Sequence, residues 1–209
     1  MQSVPIENRN VQNILHDCLS TYNVKYDVTK TNEKMGDIDV DGWYTSKDYL
    51  ESIRDDHDGS PESAHSYGLK PHHYSGDQKI DYELDFFALD MRMRLELGLQ
   101  CSALSQFYPA GGFISWHNNA NASAYNLIFT WSETGDGYFE YIDPKTDDVI
   151  RMHDKKGWTC KAGYFGSLDE PDKIIWHCAK TNCKRITLSF TMGFNYDYWE
   201  DCVKQIMTP

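Results

Sequence analysis

The stretch YPAGGFISWHNN, Tyr108 to Asn119, decides how the rest of the chain is read. It predicts a strand end, a Pro/Gly bend and a second strand that finishes by presenting His117 and Asn119. Side chains two apart on a strand face the same side, so these two point into one cavity. Further on, residues 174–190 read IIWHCAKTNCKRITLSF, with His177 behind three apolar residues and Arg185 after it. A separate strand carrying His177 can complete a metal site with the first. Thr187 and Ser189 follow at alternate positions and share the face of Arg185.

Outward from this core, period-two patterning predicts strands over 99–108, 113–116, 125–131, 138–142, 149–152, 158–165, 174–178 and 186–192. The turn signals PAGG, ETGDG, DPKTDD, DKKG and SLDEPD separate them. Before residue 99 the period is helical. Ile6, Val11, Ile14, Leu15, Cys18 and Leu19 predict an amphipathic helix within 5–20. VKYDVTKT reads as a short strand. Thr45 with Asp48 reads as a capping box opening a short helix through Arg54. Residues 55–79, rich in Asp, Ser, Gly, Pro and His, read as a long loop. Leu84, Phe87, Ala88, Met91 and Leu95 predict a helix over 81–97, closed by Gly98. The fold expected is mainly β with helical support. It is a jelly-roll or cupin-like double sheet with N-terminal helices packed on it. One domain is expected over 1–209. It divides into a helical front and loop at 1–98, the β core at 99–192, and a C-terminal extension at 193–209.

Composition bounds the chemistry. The 209 residues suffice for one core, and 40% apolar with 14% aromatic content is that of a folded chain. A net charge of −12 disfavours a nucleic-acid backbone as partner. No apolar run is long enough to span a membrane, and the first residues do not read as a signal peptide, so a cytoplasmic location is expected. The six cysteines form no CxxC pair and read as reduced, mostly buried thiols.

The order of parts is Tyr-Pro-Ala-Gly-Gly, His-x-Asn, a β-rich YNLIFTW, a Gly-Asp-Gly hairpin, then His and Arg-x-Thr-x-Ser. That order resembles the iron(II)- and 2-oxoglutarate-dependent dioxygenase superfamily. It is most similar to the branch with prolyl 4-hydroxylase-like and nucleic-acid-repair dioxygenases. The resemblance covers roughly residues 99–192. It implies a double-stranded β-helix core over those residues, with N-terminal helices packed on it, and Fe(II) held by two histidines and a carboxylate, with positions left for a 2-oxo acid and dioxygen. Oxidative decarboxylation of 2-oxoglutarate then supplies an oxidant able to take hydrogen from a substrate C–H. By this resemblance His117, Asn119 and His177 are the metal positions, and Arg185 holds the distal carboxylate of 2-oxoglutarate through its planar fork. Thr187 and Ser189 add hydroxyls there. Tyr108 is a cosubstrate contact, and so is one of Tyr125 and Asn126. The substrate expected is a small molecule or a peptide; assembly state is open.

Asn119 departs from the family pattern, which has Asp or Glu there. Three readings follow. The amide oxygen binds iron as a weaker neutral donor; or the position leaves room for a halide or water, as in related halogenases; or the fold persists as a catalytically silent binding protein. Asp136, Glu133 and Asp154 are other carboxylates that a neighbouring segment could bring, with no spacing that favours one. Trp116, Trp131, Trp158 and Trp176 read as core. His72 and His73, and the run Asp55, Asp56, Asp58, read as solvated loop.

Overall fold

The computed structural model describes residues 1–22, 26–31, 34–36, 38–39, 41–56, 58–69 and 77–209. In chain order these form β1 (Gln2–Val4), α1 (Arg9–Ser20), α2 (Val28–Thr31), β2 (Lys34–Met35), α3 (Lys47–Ile53), β3 (Ala64–Gly68) and α4 (Asp77–Leu97). Then come β4 (Cys101–Tyr108), β5 (Phe113–His117), β6 (Ala124–Ser132), β7 (Gly137–Ile142) and β8 (Val149–His153). β9 (Gly157–Phe165), β10 (His177–Thr181), β11 (Arg185–Thr191) and α5 (Tyr196–Ile206) complete it.

The strands run in the order β1-β9-β6-β11-β4-β3-β5-β10-β7-β8, with β2 on β3. Every pairing between strands is antiparallel. β3 turns this path back on itself. Its Tyr67 and Gly68 pair with Phe107 and Gln106 of β4, while its Ala64 and His65 pair with Ile114 and Phe113 of β5. One short strand therefore belongs to both sheets of a jelly roll. Tyr108, Ile128 and Phe165 from the larger sheet meet Ile114, Phe139 and Ala179 from the smaller one, so the sheets face each other.

Alternation sorts the side chains into layers. Ile186, Leu188 and Phe190 of β11, with Leu127 and Phe129 of β6, leave the cavity side and pack on α1, α4 and α5. Arg185, Thr187, Ser189 and Thr191 take the other face. On the outer side of the smaller sheet, Trp116, Ile142 and Cys178 pack on Tyr49, Leu50 and Ile53 of α3. Each such fully buried side chain stabilises by about 1.5–3 kcal/mol.

The expected jelly roll with helical support is the fold observed, with local corrections. The strand expected at VKYDVTKT is in part the helical turn α2, opened by Asp27, whose carboxylate accepts from Thr29 N and Oγ1; residues 24 and 25 lie outside the described residues. Ser46, not Thr45, caps α3, accepting from Tyr49 N at 3.1 Å, because Thr45 ends a 3-10 turn. β3 lies inside the segment read as loop; β pairing from both sides outweighs its Ser/Gly-rich composition. β10 begins at His177, since Pro171–Lys173 form a 3-10 turn before it. On α4 the buried face is Tyr82, Phe86, Met93 and Leu97, whereas Leu84, Phe87, Met91 and Leu95 are exposed. That helix carries two apolar stripes, and periodicity cannot choose between them. His72 and His73 lie outside the described residues.

Gly111 and Gly112 shape the bend that aims β5. Gly111 has φ +77° and open space around it. A Cβ on Gly112 would meet Pro109 O at 2.7 Å, Tyr108 Cβ at 2.8 Å and His65 O at 3.0 Å. Gly111→Ala is expected to cost roughly 1–2 kcal/mol, from the left-handed backbone alone. Gly112→Ala must displace backbone, so its loss should be larger, about 2–3 kcal/mol. Urea melts of the two variants check the order.

Candidate metal and carboxylate site

His117 ends β5 and His177 begins β10, and the two are direct cross-strand partners. Their ring centroids lie 4.1 Å apart at a 50° tilt. His117 Nδ1 sits 2.8 Å from Ser115 O, and His177 Nδ1 sits 2.9 Å from Ile175 O. A carbonyl only accepts, so Nδ1 carries the proton in both rings and Nε2 keeps the lone pair. Fixing the tautomer and ring orientation in this way is what metal-ligating histidines require. Both rings line a cavity of about 560 Å³ between the sheets. Phe139 and Phe165 wall His177 at centroid distances of 5.6 and 5.0 Å.

Burial lowers the His177 pKa to about 4, against the opposing pull of its bond to Ile175 O. It is therefore neutral and ligand-ready at pH 7. In the metal-free protein the native state resists protonating His177 while the unfolded chain takes a proton near pH 6.5. Stability from this group is complete above 6.5 and is lost as pH falls toward 4, by at most about 3 kcal/mol. Urea melts at stepped pH should show this slope, and it should flatten in His177→Asn.

The far side of the cavity is charged. Arg185, 1% exposed, donates from Nε to Asp154 Oδ2 at 2.8 Å and from Nη1 to Thr187 Oγ1 at 2.8 Å. Lys161, also buried, donates from Nζ to Asp154 Oδ1 at 3.1 Å. Burial by itself would raise the Asp154 pKa, but the two cations outweigh it and hold it low. The Lys161 pKa is lowered by burial and by Arg185, against Asp154. Two buried cations thus share one carboxylate, leaving a surplus positive charge. The Arg185 bonds use Nε and Nη1 of the guanidinium and not Nη2. Tyr108 lies beside this group, its ring centroid 5.4 Å from the guanidinium carbon. Burial pushes its hydroxyl up to about 12, so it stays a hydrogen-bond donor. A buried unbalanced cation is costly unless an anion joins it. A carboxylate ligand satisfies that requirement, and the guanidinium fork matches its geometry.

His117, Asn119, His177, Arg185, Tyr108, Asn126, Thr187 and Ser189 all line this one cavity. Tyr125 does not. Its ring packs outside, 4.9 Å from Tyr164 and 5.0 Å from Trp199. Asn126 Nδ2 is held by Ala124 O at 2.9 Å. Among the described residues no group of three or more His, Cys, Asp or Glu comes together, so no carboxylate joins the histidines there. Asp154 is bound to Arg185 and Lys161, Asp136 accepts from Asn182 in an exposed turn, and Glu133 is exposed. Lys161 escaped the sequence reading. Its signal was the alternation of WTCKAGYF, where a lysine falls on the inward face.

No protein-family model and no curated protein matches the chain. Among solved structures, a Pseudomonas putida prolyl-4-hydroxylase is 11% identical, with 88% of this chain and 100% of that one covered and a TM-score of 0.36. The collagen prolyl hydroxylase of Paramecium bursaria Chlorella virus-1, solved with 2-oxoglutarate, is 11% identical over 77% of this chain and 94% of that one, TM-score 0.33. OsALKBH1 is 17% identical over 43% of this chain and 46% of that one, TM-score 0.30, so the chain spans less than half of that structure. At this distance the likenesses carry no argument about chemistry. Among the described residues no helix is long and apolar enough to cross a membrane.

Proposed function

We propose that the protein is an iron(II)- and 2-oxoglutarate-dependent oxygenase. One observation carries the reading: two tautomer-fixed histidines and a buried guanidinium with surplus charge line the same cavity. His117 and His177 are the nitrogen ligands to iron, and the Asn119 amide oxygen is the third position. Arg185, with Tyr108 and Ser189, takes the distal carboxylate of 2-oxoglutarate, while Asp154 and Thr187 hold the guanidinium in place. Bound iron and 2-oxoglutarate supply the oxidising power that functionalises a substrate C–H at the expense of dioxygen. The chain binds and orients them, and the apolar walls from Ile114, Ile128, Phe139 and Phe165 shield the reaction from water.

All three protein donors in this reading are neutral, so the negative charge beside the metal comes from the cosubstrate. Iron and 2-oxoglutarate should therefore bind with strong mutual coupling. Anaerobic titration with iron(II), alone and with 2-oxoglutarate, reads both points from the visible metal-to-ligand charge-transfer band. The expected result is weak iron binding alone, at least tenfold tighter binding with 2-oxoglutarate, and no band in His117→Ala or His177→Ala. A well-folded wild-type protein that gives no band would sink the oxygenase reading and leave a jelly-roll binding protein.

A further inference from the structure

The turn that carries Asn119 lies beyond its strand. β5 ends at His117 and pairs with β10 no further than that residue, and β6 begins only at Ala124. Asn119, Ala120, Ala122 and Ser123 nevertheless wall the histidine cavity, as do Gly59 and Ser60. Two other loops hold this turn in place.

The first holds Ala120. Its φ of +48° is left-handed, a conformation that a residue with a Cβ keeps only where its surroundings impose it. Its N–H donates to Asn118 Oδ1 at 2.7 Å, and its carbonyl accepts from Leu168 N at 2.9 Å. The loop at Gly59 packs so closely that a Cβ there would lie 2.6 Å from Ala120 N and 2.7 Å from Ala120 Cα. Only glycine fits.

The second anchor is a carboxylate in the loop after β9. Glu170 Oε2 accepts from Ser123 Oγ at 2.6 Å and from Tyr164 OH at 2.7 Å, and its Oε1 accepts from Lys173 Nζ at 2.8 Å. Ser123 Oγ in turn accepts from Ser167 N at 2.9 Å. One hydroxyl thus ties the end of the turn to both the backbone and the carboxylate of that loop, and bonds to an ionised acceptor are the stronger kind.

The chemistry of an amide ligand explains why position 119 needs such holding. A carboxylate is drawn to a cation over a distance, whereas a neutral amide oxygen gains little until it is already in place. On a loose turn, ordering that amide would subtract from metal affinity. We propose that Gly59 and Glu170 are positioning residues for the third metal position. They hold the 118–123 turn so that Asn119 is presented to the cation that His117 and His177 bind. The proposal rests on the reading of Asn119 as that position.

The test is a double-mutant cycle on the full chain, read as manganese(II) affinity by electron paramagnetic resonance with 2-oxoglutarate present. Asn119→Ala, and Glu170→Ala with Asn119 in place, should each weaken binding by on the order of tenfold. In the Asn119→Ala background, Glu170→Ala should weaken it by less than about twofold, because the two act through one contact. Gly59→Ala should follow the same pattern. Glu170→Gln keeps an oxygen for Ser123 and Tyr164 and should recover most of the loss. Glu170 is partly exposed, so its variants should fold. A role confined to the fold predicts equal losses with and without Asn119. That outcome, or unchanged affinity in Glu170→Ala, would overturn the proposal. Unchanged affinity in Asn119→Ala would overturn it as well, since the third position would then lie elsewhere. The wild-type charge-transfer band reports the oxygenase reading separately. A band with equal losses in both backgrounds removes the positioning role alone, whereas neither band nor manganese binding removes the reading and the role together.

Discussion

Asp154→Asn is expected to be among the most destabilising single substitutions in the chain, by roughly 3–5 kcal/mol. The side chain is fully buried and is the carboxylate between Arg185 Nε at 2.8 Å and Lys161 Nζ at 3.1 Å. An amide keeps the shape but removes the charge, so two cations remain in the interior without a counter-ion. The cost of breaking a buried ionic group comes from that residue of uncompensated charge, not from the lost Coulomb attraction alone. For a chain of this length the loss corresponds to a fall in Tm of about 10 °C. Urea denaturation of the metal-free protein measures it. Adding Lys161→Met to Asp154→Asn should recover much of the loss, because it removes one stranded cation and replaces it with an apolar chain of similar length. A cost below about 1 kcal/mol for Asp154→Asn would mean the cluster is solvated, and the surplus-charge argument for an anion site would fall with it.

Arg185→Ala is expected to weaken 2-oxoglutarate binding by on the order of 100-fold or more. Charge-assisted hydrogen bonds contribute about 1.5–3 kcal/mol each, and each 1.4 kcal/mol is tenfold in affinity. Arg185→Lys should fall between the two, since a point charge reaches the carboxylate but cannot match its two oxygens with a planar fork. Calorimetric titration of 2-oxoglutarate with manganese(II) in place of iron gives the three affinities without turnover. Stability separates this effect from general damage. In Arg185→Ala, Asp154 still has Lys161, so the protein should lose less stability than Asp154→Asn does, although it loses more of its cosubstrate affinity. Unchanged 2-oxoglutarate affinity in Arg185→Ala would sink the carboxylate-anchor role.

The sequence by itself determined the jelly-roll class and the facing of side chains along its clearest strands. Period-two alternation is a local property: in RITLSFT it assigns Ile186, Leu188 and Phe190 to one face and Arg185, Thr187 and Ser189 to the other, before any partner strand is known. The same rule put His117 and Asn119 on one side, but β5 ends at His117 and Asn118 lines the cavity as well, so the chain beyond the strand brings Asn119 there, not alternation. What tertiary structure decided were choices among local equals. α4 offers two apolar stripes, and only packing on α1 and the larger sheet buries Tyr82, Phe86 and Met93 in place of Leu84, Phe87 and Met91. β3 has little strand signal of its own and is a strand because β4 and β5 both present it with unpaired backbone groups. Asp154 and Lys161 are far from Arg185 in the chain, and charge carries no periodicity that would announce their meeting. Tyr125 and Asn126 were indistinguishable as neighbours on a strand until the sheet turned Asn126 inward and left Tyr125 against Trp199. Local pattern fixes which way a side chain faces, whereas what it meets there depends on contacts between segments distant in sequence.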